Sequence, residues 1–112
     1  MPQAATCQWH SICHIDEIPS LGARVVLRPG QDNVAIFRTS DDQVYAVVDR
    51  CPHKGGPLSA GLVHGRSVAC PLHGWVMDLA SGEAQAPDVG CVQTLPVKVD
   101  NGAVYLGLDE SA

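Results

Sequence analysis

Two short segments of the sequence carry a cysteine and a histidine at close spacing. One residue separates Cys51 from His53, two separate Cys70 from His73, and sixteen residues lie between the two pairs. Thiolate sulfur and imidazole nitrogen are ligands of zinc and of iron–sulfur centres. Because each segment holds one ligand of each kind, the pattern suits a [2Fe-2S] cluster with one iron held by two cysteines and the other by two histidines.

Two other interpretations of these four residues stay open. A structural zinc site uses the same ligand types, and a buried cysteine beside an incidental histidine behaves as a small apolar side chain. Zinc sites with comparable spacing usually keep like ligands together, as in C-x-x-C followed by H-x-x-x-H. Here the like ligands are split between two segments, which favours the iron–sulfur interpretation.

The residues around the four ligands resemble the Rieske family. The matching strings are Cys51-Pro-His-Lys-Gly-Gly-Pro-Leu-Ser59, Cys70-Pro-Leu-His-Gly-Trp75, Ser81-Gly-Glu-Ala84, Ala86-Pro-Asp88 and Leu95-Pro-Val-Lys-Val99. Within that family they are most similar to the small subunit of assimilatory NAD(P)H-dependent nitrite reductase. The resemblance is strong over residues 47–108 and implies a Rieske-type [2Fe-2S] cluster bound by Cys51, His53, Cys70 and His73.

The rest of the chain has the patterns of short strands separated by turns. Strands are predicted at 24–28, 33–39, 44–49, 66–70, 93–99 and 103–108, with an amino-terminal strand at 9–15. Asn101-Gly102 between two alternating runs is a strong hairpin signal. The sequence therefore predicts an all-β domain without long helices.

The two ligand segments lie in the middle of this series of strands. The resemblance implies a Rieske-type antiparallel β-barrel or sandwich, built from residues 8–48 and 92–108, with a small cluster-binding β-subdomain inserted at approximately 49–91. No change in composition marks a linker, so residues 1–112 are expected to form a single domain.

Some residues near the ligands differ from those of respiratory Rieske proteins. That type has a disulfide between the two loops, where this chain has Gly56 and Leu72, and a Ser and a Tyr after the last ligand, where it has Trp75 and Met77. Hydroxyl donors to the sulfurs would stabilise the reduced cluster. Without them, the midpoint potential is expected at the lower end of the Rieske range of about −150 to +300 mV.

The resemblance also implies a function and partners. The chain would transfer electrons as the small subunit of a nitrite reductase that converts nitrite to ammonium in nitrate assimilation, beside a large subunit carrying FAD, a [4Fe-4S] cluster and sirohaem. The chain has no nucleotide-binding or haem motif, so it is not expected to be catalytic alone. The alternatives are a free Rieske ferredoxin serving a ring-hydroxylating dioxygenase and a zinc-stabilised interaction module.

The net charge and the cysteines indicate which partners and which cellular location to expect. A net charge of −5 argues against nucleic acid or an anionic membrane as a partner. No targeting segment is visible, and Cys7, Cys13 and Cys91 are expected to be reduced thiols in a cytoplasmic protein.

Three further histidines, Trp75 and the segment 86–88 have other expected roles. His10, His14 and His64 are expected to be structural rather than ligands, because none forms a matching pair with a cysteine. Trp75 is expected in the core, and the alternatives are that it shields the edge of the cluster or contacts a partner. The segment 86–88 is expected either to cover the cluster or to be a plain surface loop.

Overall fold

The fold consists of short antiparallel strands. The computed structural model describes residues 7–28, 30, 32–50, 57–71, 74–85 and 90–109. Within these ranges the strands are β1 (Cys7–His14), β2 (Ala23–Val26), β3 (Val34–Arg38), β4 (Val44–Val48), β5 (Leu62–His64), β6 (Ser67–Ala69), β7 (Val76–Asp78), β8 (Thr94–Leu95), β9 (Val97–Asp100) and β10 (Ala103–Asp109). Helical structure in the described chain is limited to 3₁₀ turns at Ile15–Glu17 and Leu58–Ala60, which confirms the all-β prediction.

The strands form three sheets. Two outer sheets have the orders β1-β10-β9 and β2-β3-β4-β8, and a third, smaller sheet has the order β5-β6-β7. All pairings are antiparallel. The small sheet is formed entirely by residues between β4 and β8, so the chain leaves the outer sheets, builds the small sheet and returns. This arrangement confirms the inserted β-subdomain.

One predicted strand is wrong in its extent. The run 93–99 is divided at Pro96 into β8, which pairs with β4, and β9, which pairs with β10. Proline has no N–H to donate to a sheet ladder. The carbonyl oxygen of Pro96 still accepts from Gly107 N–H at 2.8 Å. The chain therefore passes from one outer sheet to the other at this residue.

The predicted hairpin at Asn101-Gly102 is confirmed. Asp100 pairs with Ala103, and both intervening residues have positive φ, 52° for Asn101 and 82° for Gly102. A two-residue turn of this kind needs left-handed backbone at both positions, which Asn and Gly tolerate best.

Strand β3 divides the hydrophobic core into two parts. Ala35 and Phe37 belong to one cluster of buried residues, and Val34 and Ile36 belong to the other. Successive side chains of a strand point to opposite faces, so β3 is covered on both sides. The first cluster joins the outer sheet β2-β3-β4-β8 to the small sheet. Its remaining members are Val47, Val48, Leu58, Val63, Val68, Cys70, Met77, Leu79 and Val92.

The second cluster lies between the two outer sheets. Its other members are Ile18, Ala46, Val104 and Leu106. Full burial of a side chain such as Phe37 or Leu106 contributes roughly 1.5–3 kcal/mol to stability. The first cluster therefore holds the small sheet against β3 and β4, and the second holds the two outer sheets together.

In the described part of the chain, no helix has the length and apolar character needed to cross a membrane.

Candidate metal centre

Backbone hydrogen bonds join the two ends of the second ligand segment, between β6 and β7. Cys70 follows β6 directly, and its N–H donates to the carbonyl oxygen of Trp75 at 2.7 Å. Gly74 N–H donates to the carbonyl oxygen of Cys70 at 3.0 Å. Gly74 has φ of 73°, in the left-handed region that glycine adopts without strain. These bonds fix the backbone of the predicted ligand Cys70.

Cys70 is buried in the core cluster that joins the small sheet to the outer sheet β2-β3-β4-β8. Its exposed fraction is 3%, and it forms no disulfide. The same cluster contains Leu58, Val68 and Met77, and half-buried Trp75 packs against it. The immediate surroundings of this thiol are therefore apolar and contain Met77 where the respiratory type has a hydroxyl group.

Hydrogen bonds join the two ends of the first ligand segment. Asp49 follows β4, and its N–H donates to the carbonyl oxygen of Asn33 at 2.8 Å. The Asp49 carboxylate accepts from both Ser59 N–H and Ser59 Oγ, each at 2.7 Å. We call this pair of bonds the Asp49–Ser59 clamp. Residues 50–58, which include Cys51 and His53, lie between its two ends.

The chain leaving the first segment also contacts the chain entering the second. Gly61 lies so close to Ala69 that a Cβ atom added to Gly61 would overlap the Ala69 carbonyl oxygen. Ala69 directly precedes Cys70. The two ligand segments are thus connected by a backbone contact within the small sheet.

Three of the four predicted ligands lie outside the described residues. The structure places Cys70 but not Cys51, His53 or His73. Gly56, Leu72 and the predicted cover at 86–88 also lie outside the described residues. Within the described ranges, no three His, Cys, Asp or Glu side chains are arranged to hold a metal ion.

The other histidines and cysteines serve different purposes where they are described. His14 caps the first 3₁₀ turn: its Nδ1 accepts from Asp16 N–H at 3.2 Å. His64 is exposed at the end of β5. Burial raises the pKa of the Cys13 thiol, and the carboxylate of Glu17 adds to the rise while Arg24 opposes it. Neither Cys13 nor Cys91 forms a disulfide.

Sequence reasoning did not identify Asp49, Ser59 or Gly61 as part of the site. The first two are ten positions apart and match no short motif. A polar residue on each side of a metal-binding segment is the one signal that would have pointed to the clamp.

The residues of the site fit a [2Fe-2S] cluster with mixed ligands. Two thiolates and two imidazoles are the donor set for such a cluster. The one donor that the structure places, Cys70, is a thiol without a disulfide, and its backbone is held by hydrogen bonds to Trp75 and Gly74. Its apolar surroundings would limit water access. The absence of a side chain at Gly61 lets the chain approach the Ala69 carbonyl oxygen closely, next to Cys70.

Comparison with known families gives one match over most of the chain. Residues 8–96 match the family model described as "Rieske [2Fe-2S] domain". This range includes all four predicted ligands.

Curated relatives include proteins of similar and of greater length. The ferredoxin subunit of anthranilate 1,2-dioxygenase from Burkholderia cepacia is 35% identical over 111 residues, covering 96% of this chain and 99% of that protein. The 4beta-methylsterol monooxygenase of Methylococcus capsulatus is 38% identical over 88 residues, 69% of this chain. The matched part spans only 23% of that longer protein.

A solved structure described as the small subunit of an NADPH nitrite reductase is also similar. It shares 31% sequence identity and has a TM-score of 0.77, and the match covers 88% of this chain and 97% of that one.

Proposed function

The chain belongs to the Rieske [2Fe-2S] domain family, and from that premise we propose that it is a ferredoxin delivering single electrons to a ring-hydroxylating dioxygenase. The observation that carries the proposal is the 35% identity to the anthranilate 1,2-dioxygenase ferredoxin subunit, which extends over 99% of that protein. The cofactor is a Rieske-type [2Fe-2S] cluster. The proposed function differs from the nitrite reductase role that the sequence strings favour.

The proposed ligands are the four residues of the sequence pattern. Cys51 and Cys70 would hold one iron, and His53 and His73 the other. When bound, the cluster supplies a centre that accepts and returns one electron. Each ligating imidazole has a second ring nitrogen that can hold a proton, so the two histidines would also take up a proton on reduction.

Two exposed leucines lie close to the ligand segments in the fold. Leu62 is 76% exposed and pairs with Ala69, the neighbour of Cys70. Leu27 is 74% exposed and follows β2, which contacts the 3₁₀ turn after the first ligand segment. Exposed apolar side chains of this size suit a protein contact. We place the docking of the oxygenase and reductase partners at this end of the molecule.

The extent and location of the protein are part of the same proposal. The chain would act as a single domain over 1–112, with a cluster-binding subdomain at approximately 49–91. The expected reduced state of Cys7, Cys13 and Cys91 is consistent with a cytoplasmic carrier.

The second candidate function is that of a nitrite reductase small subunit. It is favoured by the solved structure of that description, at 31% identity and a TM-score of 0.77. In that case the partner would be a large subunit with FAD, a [4Fe-4S] cluster and sirohaem, and nitrite would be reduced on that subunit.

An exchange experiment separates the two functions. The protein, loaded with cluster without oxygen, would replace the ferredoxin in an assay with the anthranilate dioxygenase reductase and oxygenase components and NADH. In parallel it would replace the small subunit of an NAD(P)H nitrite reductase. We expect substrate-dependent product in the first assay and no gain in nitrite consumption in the second. The reverse result would establish the second candidate instead.

A further inference from the structure

We propose that the Asp49–Ser59 clamp is a positioning device for the first ligand segment, which holds Cys51 and His53 in the arrangement that the cluster requires. The inference rests on the proposed ligand set. It assigns a role to two residues that do not belong to the ligand pattern.

The clamp is anchored on both sides. Asp49 N–H donates at 2.8 Å to the carbonyl oxygen of Asn33, the residue that directly precedes β3. On the other side, Gly61 N–H donates to the carbonyl oxygen of fully buried Leu58 at 2.9 Å, which closes the 3₁₀ turn that contains Ser59. Neither end of the clamp can therefore shift without disturbing the core.

The bonding of the carboxylate makes the clamp rigid. Each of its oxygens accepts one hydrogen bond from Ser59, one from the backbone and one from the side chain, both at 2.7 Å. Hydrogen bonds to a charged acceptor are shorter and stronger than neutral ones. Two bonds between Asp49 and Ser59 fix the orientation of the two residues as well as the distance between them.

Joining the ends of a segment reduces its freedom. Asp49 and Ser59 flank residues 50–58 in the sequence, so the clamp limits the positions open to the two proposed ligands before metal binds. A preorganised ligand segment releases metal more slowly, and loss of residues that orient ligands typically weakens metal binding about 10–100-fold. The clamp supports the segment from its ends, so we expect effects at or somewhat below the low end of that range.

The test compares the release of iron from cluster-loaded variants. Bleaching of the visible absorption by an excess of bathophenanthroline would be followed for wild type, Ser59→Ala, Asp49→Asn and Ser59→Thr. We expect bleaching about fivefold faster for Ser59→Ala and about tenfold faster for Asp49→Asn. Ser59→Thr keeps the hydroxyl group and should restore the wild-type rate.

A matched control lies at the opposite end of the small sheet. Ser81 Oγ donates to the Asp78 carboxylate at 3.1 Å, the same type of bond, in the turn after β7. Ser81→Ala should leave the bleaching rate unchanged. In Ser59→Ala, the EPR lines of the cluster that remains should broaden, because a looser segment gives a wider range of ligand geometries.

The outcomes are distinguishable from a failure of the proposed function. If wild-type protein binds no [2Fe-2S] cluster, the ligand assignment itself is wrong. If wild type binds the cluster and Ser59→Ala bleaches no faster than Ser81→Ala with an unchanged EPR spectrum, the positioning role is refuted. If Asp49→Asn fails to fold, the comparison of Ser59→Ala with Ser59→Thr still decides.

Discussion

Gly61 and Ala69 lie in direct backbone contact, with no space for a side chain at Gly61 beside the Ala69 carbonyl oxygen. Gly61 follows the first ligand segment, and Ala69 precedes the cysteine of the second. Their separation therefore sets how closely the two segments approach each other.

The first prediction concerns this contact. Gly61→Ala should lower the free energy of unfolding by about 1–3 kcal/mol, because the added methyl group overpacks the site. It should also reduce the fraction of purified protein that retains cluster. Denaturant titration and iron analysis measure the two effects.

Gly65→Ala is the control for Gly61→Ala. Open space surrounds the added methyl group at Gly65, but its φ of 58° leaves backbone strain, which costs about 1 kcal/mol. We expect this variant to lose some stability and to keep its cluster. Equal cluster loss in both variants would show that the Gly61–Ala69 contact has no special role.

The second prediction is a low midpoint potential. Fully buried Met77 offers no hydroxyl donor near Cys70, so voltammetry should give a value below about 0 mV for the wild-type protein. His73→Cys should shift it further down, toward the value of about −400 mV found for all-cysteine ferredoxins, because the added thiolate makes the cluster more negative. His64→Cys, at an exposed position outside the ligand pattern, should leave the potential unchanged. A wild-type midpoint well above about 0 mV would contradict the role given to the missing donors.

The third prediction concerns Arg38, which ties β3 to the first 3₁₀ turn. Its guanidinium donates to the carbonyl oxygens of Ile15 and Ile18 at 3.1 and 2.9 Å and to the Asp42 carboxylate at 2.8 Å. A lysine has a single side-chain nitrogen and cannot donate to these three acceptors in the same geometry. Arg38→Lys should therefore destabilise the protein by about 1–3 kcal/mol in denaturant titration.

Arg24→Lys provides the comparison for Arg38→Lys. The Arg24 side chain is 44% exposed, and its contact with Glu17 is 3.9 Å long. Exposed ion pairs contribute little, so this variant should unfold within about 0.5 kcal/mol of wild type. A similar loss of unfolding free energy in both variants would mean that the hydrogen bonds of the Arg38 guanidinium are not what stabilises the turn.

The fourth prediction tests the docking surface. Leu62→Glu should slow electron transfer to the oxygenase severalfold without changing the EPR spectrum, since it places a charge in an apolar contact. Leu21→Glu is the control, because Leu21 is bonded to Arg38, at the end of β3 away from the first ligand segment. Stopped-flow oxidation of the reduced protein measures the rates. Equal rates for the two variants would place the contact elsewhere.

The fifth prediction follows from the raised pKa of Cys13. A raised pKa leaves a smaller fraction of reactive thiolate at a given pH. Iodoacetamide should therefore modify Cys13 slowly at pH 8, with a rate that rises as the pH is increased, and it should modify Cys91 faster because that side chain is exposed. Peptide mass spectrometry resolves the two sites. The difference should vanish in denaturant, and equal rates in the folded protein would contradict it.

Local patterns made much of the fold predictable. Alternation identified β3, β4 and β10, and Asn101-Gly102 identified the hairpin between β9 and β10. Strands β5 and β7 were missed because three residues are too few to show a period. The switch of sheets at Pro96 depends on which strands are neighbours in space, which local sequence does not record.

The ligand pattern was readable for a similar reason. Cys70 and His73 lie three positions apart, so the pair is visible in the local sequence. Asp49 and Ser59 are brought together by the folded chain, with Asn33 on one side and buried Leu58 on the other. Recognition of such a pair requires the tertiary structure.

The double burial of β3 has a consequence for engineering. Phe37 and Ala35 are covered by the small sheet, while Val34 and Ile36 are covered by the opposite outer sheet. A peptide that contained only the small sheet and the ligand segments would lose the surface on which it packs. The two outer sheets left behind would expose Phe37. The small sheet with its ligand segments is therefore not an independent folding unit. Grafting it onto another scaffold would also require side chains equivalent to Ala35 and Phe37 of β3.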